Sequence, residues 1–336
     1  MVGFSLPALR IGAHEIDPPV VLAPMTGISD APFRELVARF GVGMVVSEMI
    51  ASRSMITQNR RSMRMVNRAV GAGPHAVQLA GCDPRIMADA ARLNQDLGAD
   101  IIDINMGCPA KKVVGGLAGS ALMRDLKAAA AIIAAVVEAV SLPVTLKMRL
   151  GWDDGSRNAP QLARIAADLG VQCLTVHGRT REQMYDGHAD WRAVADVVAA
   201  VDLPVIVNGD IGSGADARRA LALSGAHGVM LGRACRGRPW LPSQVAAELS
   251  ARPVPPAPQG EALAGIILGH YEAMLVHYGP ELGLRIARKH LKWYAEAAGT
   301  DPAFVRLAVR ENDPDLVRGL IRRHFSQAGA RLGAVA

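Results

Sequence analysis

Eight short runs of apolar and β-branched residues recur between Pro19 and Gly232. They cover residues 20–23, 44–47, 76–80, 101–105, 144–149, 173–177, 205–208 and 229–231. Each run has the length and composition of a buried β-strand. Most of the segments between them carry apolar residues at helical spacing. The pattern therefore predicts alternating strands and helices, and hence a parallel sheet with crossover helices.

The residues that precede these runs follow a two-step rhythm. Proline precedes every odd-numbered run, at Pro19, Pro74, Pro143 and Pro204. Glycine lies before every even-numbered run, at Gly41, Gly98, Gly170 and Gly225, where it can adopt the left-handed conformation that ends a helix. Eight such units predict an α/β fold, the (β/α)8 or TIM barrel. A doubly wound open sheet is the alternative, but no Gly-x-Gly-x-x-Gly motif follows the first run.

The pattern changes after about residue 239. A proline-dense stretch at 252–258 excludes a helix or a central strand, and only helical spacing continues beyond it. We therefore expect a barrel domain over residues 1–242, a proline-rich linker over 243–259, and a C-terminal all-α helical domain over 260–336.

The composition and the apolar runs of the chain predict its cellular compartment and the kinds of partner it can have. The four cysteines show no Cys-x-x-Cys spacing, which suits a reducing cytosol. The start of the chain lacks a secretion signal, and the longest apolar run, 128–137, is too short to span a bilayer. We expect a cytoplasmic protein without a membrane partner, and a monomer because no heptad pattern is evident. The net charge of +6 permits a polyanionic partner without requiring one.

Polar and reactive side chains concentrate just after the predicted strands. Those at the carboxyl ends are Thr26, Glu48, Gln78, Asn105, Cys108, Lys147, Arg149, His177, Arg179, Asn208, Asp210 and Arg233. The amino ends begin with proline or glycine and carry little chemistry. Because (β/α)8 barrels react substrates at the carboxyl ends of their strands, this asymmetry predicts an active site there.

The segments after the last two strands are rich in glycine. Residues 208–210 read Asn-Gly-Asp, and Gly232 and Arg233 follow the eighth strand. Loops at these two places in barrels often bind phosphate through backbone N–H groups. The sequence therefore predicts a phosphate site, with plain turn glycines as the alternative.

Two further residues are candidates for a direct role in a reaction. Cys108 lies just past the fourth strand in the segment Asn-Met-Gly-Cys-Pro, either as a reactive thiol or as a buried structural cysteine. Lys147 lies within an apolar strand, where an unpaired ammonium group is costly. It could form a Schiff base, face an anionic cofactor ring, or extend from the strand end into solvent.

Together these residues resemble the tRNA-dihydrouridine synthases, flavoenzymes with an FMN-binding barrel and a C-terminal helical domain. The bacterial B-type subfamily is the most similar. The resemblance covers roughly residues 11–325. Its most specific segment is 103–113, Asp-Ile-Asn-Met-Gly-Cys-Pro-Ala-Lys-Lys-Val. The segments 23–30, 117–122, 177–180, 208–211, 232–233 and 237–240 also match, in the same order.

The resemblance implies flavin-dependent reduction of the C5–C6 double bond of a D-loop uridine in tRNA, with FMN as cofactor and NADPH as reductant. Cys108 would donate the proton. Asn105, Arg149 and Arg179 would contact the target uridine. The residues that would bind the flavin are Pro24, Met25, Thr26, Gln78, Lys147, His177, Asn208, Gly209, Asp210, Gly232 and Arg233.

The chemistry of these residue types agrees with that reaction. Reduction of uracil needs a hydride at C6 and a proton at C5, and reduced flavin supplies the hydride. An ordinary thiol has a pKa of about 8.5, so at neutral pH it is mostly protonated and can act as an acid. A lysine such as Lys147 can stabilise the negative charge of a reduced flavin ring.

Basic residues supply candidate contacts to tRNA. Lys111 and Lys112 follow Cys108 almost directly. Further along the chain, Arg285, Arg288, Lys289 and Lys292 recur at helical spacing and form a basic stripe suited to phosphates. We expect binding through shape and backbone charge, as is usual for folded RNA, and no DNA partner.

Two other functions remain open from the sequence. One is a flavin-dependent reductase of free pyrimidines or small enones, which would not need the basic stripe. The other is a non-catalytic RNA-binding regulatory protein, against which the intact Cys108, Lys147 and His177 argue.

Overall fold

The computed structural model describes residues 6–68, 71, 73–300 and 302–326. The chain divides into two compact units. One comprises Met1–Ala234 with Pro242–Val254, and the other comprises Cys235–Leu241 with Pro255–Ala336. Residues 327–336 of the predicted helical domain lie outside the described residues.

The first unit begins with an antiparallel hairpin and continues as alternating strands and helices. In chain order its elements are β1 (Leu9–Ile11), β2 (His14–Ile16), β3 (Val20–Leu22), α1 (Ala31–Arg39), β4 (Met44–Val46), β5 (Ile50–Ala51), α2 (Ser52–Ile56), α3 (Arg60–Met65), β6 (His75–Ala80), α4 (Pro84–Asp96), β7 (Ile101–Met106), α5 (Lys111–Gly115), α6 (Leu126–Ala139), β8 (Val144–Arg149), α7 (Ala159–Asp168), β9 (Cys173–His177), α8 (Trp191–Val198), β10 (Val205–Asn208), α9 (Gly214–Ser224), β11 (Gly228–Leu231) and α10 (Leu241–Leu249). A 3-10 helix, Gly119–Arg124, lies between α5 and α6.

Eight parallel strands form a closed sheet. The order is β3, β4, β6, β7, β8, β9, β10 and β11, and β11 pairs with β3 to complete the ring. The short β5 adds to the far end of β6. The predicted (β/α)8 barrel is therefore confirmed, and each of the eight apolar runs coincides with one of its strands.

Local residue preferences account for many of the element boundaries. The carboxylates of Asp30, Asp83 and Asp190 each accept a hydrogen bond from a backbone N–H in the first turn of the following helix. The four glycines that precede the even-numbered runs all have positive φ, as predicted. Strands β1 and β2 were not predicted because polar and charged residues leave no apolar run in them, and β5 was not predicted because it has only two residues.

The hairpin β1–β2 closes the amino end of the barrel. Leu9, Ile11 and Ile16 form one buried cluster with side chains from the starts of the barrel strands. Those side chains include Val21, Met44, Ala76, Ile101, Cys173 and Ile206. The apolar interior therefore begins at the hairpin, and the opposite, carboxyl end is left for polar side chains.

The second unit is helical. Its helices are α11 (Gly260–Tyr278), α12 (Pro280–Ala297), α13 (Pro302–Ala308) and α14 (Pro314–Phe325). Its core contains the buried side chains of Ile267, Tyr271, Leu291, Phe304, Ile321 and Phe325. The span 243–259, expected to be a linker, differs in part from that expectation. Residues 243–249 continue α10 within the barrel unit, and only the following proline-rich stretch is irregular.

No helix in the described ranges is both long and apolar enough to cross a membrane. The four cysteines are all free: Cys173 and Cys235 are buried, Cys108 is half-buried, and Cys82 is exposed.

Replacing Ile11 with alanine tests the role of the hairpin. Ile11 is fully buried, so Ile11→Ala should lower the free energy of unfolding by about 2–5 kcal/mol. Arg10→Ala is the matched control, since Arg10 lies on the same strand but is exposed, and it should change stability by less than about 0.5 kcal/mol. Urea denaturation measures both variants. Equal effects would show that the hairpin adds nothing to the barrel core.

Candidate active site

Alternate residues of the barrel strands place polar side chains inside its carboxyl end, or mouth. Thr145, Lys147 and Arg149 lie two residues apart on β8, so all three point to one side of the strand. The ammonium group of Lys147 reaches Asn208 on β10, across the intervening β9. A contact between strands that are not neighbours is possible only through the interior, so this face of β8 points inward.

Lys147 is buried and held by a single amide. Its Nζ donates to Asn208 Oδ1 at 3.1 Å, and Asn208 Nδ2 donates to the carbonyl oxygen of Met230 at 2.8 Å. The Met230 carbonyl therefore turns the amide oxygen of Asn208 toward the lysine. Burial, together with the charge of Arg149, lowers the pKa of Lys147 to about 8. Lys147 is thus mostly protonated at neutral pH and has N–H groups left for a ligand.

A chain of hydrogen bonds joins Asp103 to the loop that carries Cys108. Asp103 accepts from Thr145 Oγ1 and from Gln78 Nε2, both at 2.6 Å. Gln78 Oε1 in turn accepts from Asn105 Nδ2 at 2.7 Å. Burial raises the pKa of Asp103 to about 6, and the hydrogen bonds from Thr145 and Gln78 oppose that rise. Asp103 is therefore mostly ionised at neutral pH and accepts from both neighbours.

Cys108 lies directly after β7, and its loop is held from several sides. Asn105 Oδ1 accepts from the backbone N–H groups of Gly107 at 3.2 Å and Cys108 at 2.9 Å. The carbonyl oxygen of Cys108 accepts from both the backbone N–H and the hydroxyl of Ser120. Arg149 Nε donates to the carbonyl oxygen of Gly107 at 2.9 Å. The thiol therefore projects from a fixed backbone at the edge of the mouth.

Arg149 joins two loops of the mouth, those after β7 and β9. Besides Gly107, it donates through Nη1 to the carbonyl oxygens of Thr180 at 2.7 Å and Met184 at 2.8 Å. Burial lowers its pKa to about 10, so it stays charged at neutral pH. Its Nη2 has no hydrogen-bond partner among residues 6–68, 71, 73–300 and 302–326. That atom is the part of Arg149 left for a ligand.

Arg179 is tied mainly to the protein itself. It donates to the carbonyl oxygens of Asp186 and Gly187 and forms a 2.6 Å ion pair with Asp210. Burial raises the pKa of Asp210, but the hydrogen bonds from Arg179 and from the Ala189 N–H outweigh this and lower it. Asp210 therefore positions Arg179 and, at 3.9 Å, attracts Arg233.

His177 lies at the end of β9 beside Arg179. Its pKa is well below the ordinary value because of burial and the surrounding cations, among them Lys147 and Arg149. The ring is therefore neutral at pH 7, and its Nε2 lies 3.3 Å from Arg179 Nη1. A neutral His177 adds no further charge to a site that already holds several cations.

The two glycine-rich loops expose backbone donors. Gly209 and Asp210 both have positive φ, which turns the chain sharply after β10. Within the part of the chain that the structure describes, the N–H groups of Gly209, Gly232 and Arg233 donate to no other residue. A Cβ added at Gly232 would meet only ordinary contacts, at 3.8 Å. Free backbone donors beside the Arg233 guanidinium form an arrangement that can bind an anion.

Comparison with known proteins identifies the family. The family model described as dihydrouridine synthase (Dus) matches residues 21–317, which include the site above and all of the barrel strands except the first residue of β3. The chain belongs to the dihydrouridine synthase family. Membership confirms the resemblance inferred from the sequence, and it supports a flavin cofactor because this family is flavin-dependent.

Two relatives extend the match over nearly the whole chain. A probable tRNA-dihydrouridine synthase of Rhodobacter capsulatus is 54% identical over 97% of this chain and 99% of the relative. The tRNA-dihydrouridine synthase B of Xanthomonas axonopodis pv. citri is 47% identical over 94% of this chain and 96% of the relative. Among solved structures, a complex of 2-naphthoyl-CoA reductase matches with a TM-score of 0.56 and 13% identity, over 74% of this chain and 52% of that chain. That likeness concerns the fold alone.

The structure brings most of the predicted site residues to one place. The residues predicted for flavin and uridine all lie on barrel strands or in the loops that follow them. Lys111 and Lys112 are exposed on α5, directly after the Cys108 loop. The other predicted tRNA contacts lie on α12 of the helical unit, where Arg285 and Lys292 are exposed.

One residue of the basic stripe has a different local role. Arg288 Nη2 donates to the carbonyl oxygen of Glu311 at 3.2 Å and to Asn312 Oδ1 at 2.9 Å. Arg288 thereby connects α12 to the segment before α14 within the helical unit. Its helical spacing could not reveal this contact, because the partners come from a distant part of the chain.

Three residues of the site were not predicted as such: Asp103, Ser120 and Tyr185. Glu48 was expected at the carboxyl end of its strand, but no role was predicted for it. Glu48 accepts the backbone N–H of Gly27 in the loop after β3. The ring of Tyr185 is contacted by the guanidinium groups of both Arg149 and Arg233. A signal existed for Asp103, which lies two residues before Asn105 and so on the same face of β7. No local pattern indicates Tyr185, which lies in an irregular segment.

The pH dependence of the free energy of unfolding, compared between wild type and a Lys147 variant, tests whether Lys147 is buried. The pKa of Lys147 is about 8 in the folded state and 10.5 as an ordinary lysine, so the unfolded chain binds more protons between these values. The stability of flavin-free wild-type protein, relative to Lys147→Met, should therefore rise by about 3 kcal/mol from pH 8 to above pH 10. Urea denaturation at several pH values measures this. A pH-independent difference would mean that Lys147 is solvated.

Proposed function

We propose that this protein reduces a uridine in the D-loop of tRNA to 5,6-dihydrouridine, with FMN as its flavin and NADPH as the reductant. The observation that carries the proposal is the placement of Cys108. Its loop follows β7, and Asn105, which holds that loop, is paired in register with Lys147 on β8. A thiol and a buried cation thus lie at one mouth, in a chain whose family reduces uridine in tRNA.

The mouth fits a flavin mononucleotide at two points. The free N–H groups of Gly209, Gly232 and Arg233 suit its phosphate, and the remaining N–H groups of Lys147 suit the ring. Pro24, Met25 and Thr26 in the loop after β3, with Gln78, His177, Asn208 and Asp210, would complete the cofactor site. When bound, the reduced flavin supplies the hydride for C6 of the uracil.

The protein's own residues hold and protonate the substrate. Cys108 would donate its thiol proton to C5 of the uracil. Asn105 donates one amide N–H to Gln78, and its other N–H has only the weak acceptor Sδ of Met49 at 3.8 Å; this second N–H would donate to a uracil carbonyl instead. Arg149 Nη2 can do the same, while its other nitrogens keep the loops in place. Lys147 would keep a positive charge beside the flavin ring, where it can stabilise the negative charge of the reduced form.

Recognition of tRNA would be largely electrostatic. A uridine in a folded tRNA must leave its stack to enter the mouth, which costs a few kcal/mol that contacts with the protein must offset. Lys111 and Lys112, exposed on α5 just after the Cys108 loop, would contact the RNA backbone next to that nucleotide. Arg285, Lys289 and Lys292 on α12 would contact phosphates elsewhere on the tRNA. Arg179, whose guanidinium group lies beside His177 and is held by Asp210, would contact the target uridine.

Replacing Cys108 tests the chemistry. Cys108→Ala should keep the bound flavin and lose at least about 100-fold of the rate of dihydrouridine formation, since general acids typically contribute 10²–10⁴-fold. Unmodified bulk tRNA with NADPH is the substrate, and the product is mapped by position. Cys82→Ala is the matched control, because Cys82 is free and exposed, and it should leave the rate unchanged.

The same assay can contradict the proposal. Undiminished dihydrouridine formation by Cys108→Ala would remove Cys108 from the mechanism. Reduction of free uracil by flavin-loaded wild-type protein, without dihydrouridine in tRNA, would instead establish a reductase of free pyrimidines.

Neutralising the stripe on α12 tests RNA binding. The triple variant Arg285→Gln, Lys289→Gln and Lys292→Gln keeps Arg288, whose contacts stabilise the helical unit. It should weaken tRNA binding and reduce the slope of log affinity against log salt by about 2, because each lost phosphate contact removes about 0.7–0.9. Fluorescence anisotropy at several salt concentrations measures both quantities.

The matched control removes the same charge from the barrel's outer helices. Arg92→Gln, Arg164→Gln and Arg192→Gln change exposed residues on α4, α7 and α8. Equal losses of affinity in the two triple variants would show that net charge, rather than the α12 stripe, determines binding.

A further inference from the structure

The peptide groups on both sides of Cys108 have fixed hydrogen-bond partners. The N–H of Cys108 donates to Asn105 Oδ1 at 2.9 Å. Its carbonyl oxygen accepts from the Ser120 N–H at 3.1 Å and from the Ser120 hydroxyl at 2.9 Å. Because Pro109 follows, the next peptide nitrogen has no hydrogen to offer. These contacts therefore satisfy both polar backbone groups of Cys108.

Fixing both peptide planes fixes the direction of the side chain. The position of Cβ follows from the backbone dihedral angles of Cys108, and only rotation about the Cα–Cβ bond remains for the thiol. Pro109 further restricts the preceding residue to extended conformations. A shift of the Cys108 carbonyl would thus move the sulfur, the atom that must reach C5 of the uracil.

Ser120 is well placed to hold that carbonyl. It is fully buried at the start of the 3-10 helix Gly119–Arg124. The preceding Gly119 has a φ of +61°, and a Cβ there would lie 2.8 Å from the Cys108 carbonyl oxygen. The chain can approach Cys108 this closely only because residue 119 is glycine. The close approach places both donors of Ser120 on one acceptor.

We infer that Ser120 is a positioning residue for Cys108, acting through the Cys108 carbonyl oxygen to aim the thiol at the substrate. This inference rests on the proposed function and deepens it. Asn105 fixes the N–H side of Cys108, and Ser120 fixes the carbonyl side. The hydroxyl contributes one of the two bonds to that oxygen, so its loss loosens the loop and leaves the backbone bond in place.

Ser120→Ala tests the inference in flavin-loaded enzyme. The value of kcat for dihydrouridine formation should fall about tenfold, the equivalent of one hydrogen bond. The KM for tRNA and the rate of flavin reduction by NADPH should not change, because neither depends on the direction of the thiol. A second readout is the alkylation rate of Cys108 with iodoacetamide, followed by peptide mass spectrometry, which should rise as the loop loosens.

Ser224→Ala is the matched control. Ser224 is also buried, and its hydroxyl donates to a backbone carbonyl, that of Ala220, at 2.7 Å. It lies on α9, away from the Cys108 loop. The Ser224 hydroxyl oxygen also accepts from the backbone N–H of Ala226 at 3.2 Å, so Ser224→Ala should lower the melting temperature at least as much as Ser120→Ala. It should nevertheless leave kcat and Cys108 alkylation at wild-type values.

The outcomes separate the two proposals. If wild-type enzyme forms dihydrouridine and Ser120→Ala matches Ser224→Ala in both kcat and Cys108 alkylation, Ser120 is only structural and the inference fails. If wild-type enzyme forms no dihydrouridine, the proposed function fails. In that case the alkylation rates still decide whether Ser120 holds Cys108.

Discussion

Closing eight parallel strands into a ring forces every second side chain into the interior, and this barrel fills the mouth end of that interior with charged and amide groups. Asp103, Lys147 and Arg149 are all buried there. A buried charge without partners is costly, so each must find hydrogen bonds from neighbouring strands. The resulting pairs, Asp103 with Gln78 and Lys147 with Asn208, determine where each amide presents its oxygen and its hydrogens.

The same requirement makes the mouth rigid. Arg149 finds its partners among backbone carbonyls of the loops after β7 and β9, and Arg179 does so within residues 186–187. Guanidinium groups with several fixed donors connect loops that carry little secondary structure of their own. Much of the positive charge at the mouth is therefore structural as well as functional. The N–H groups that remain unpaired mark the places where a ligand can bind.

The sequence was sufficient to predict the barrel, since apolar runs and the glycines before them are local signals. It also located Cys108, Lys147 and the glycine-rich loops, because the carboxyl ends of parallel strands converge. It could not show the hairpin β1–β2, whose strands contain polar and charged residues and no apolar run, or the helical continuation through 243–249. Nor could it show that Arg288 contacts Glu311 and Asn312, or that Ser120 holds Cys108, because such contacts depend on how distant segments meet.

The pairing of β3 with β11 also has a consequence for how the protein is made. Val20 lies opposite Val229, so the ring cannot close until almost the entire barrel has left the ribosome. During that time the apolar residues of the N-terminal hairpin lack most of the strand ends that later cover them. The nascent chain thus exposes an apolar surface at the hairpin for most of its synthesis. Chaperone binding to that surface would protect the chain from aggregation.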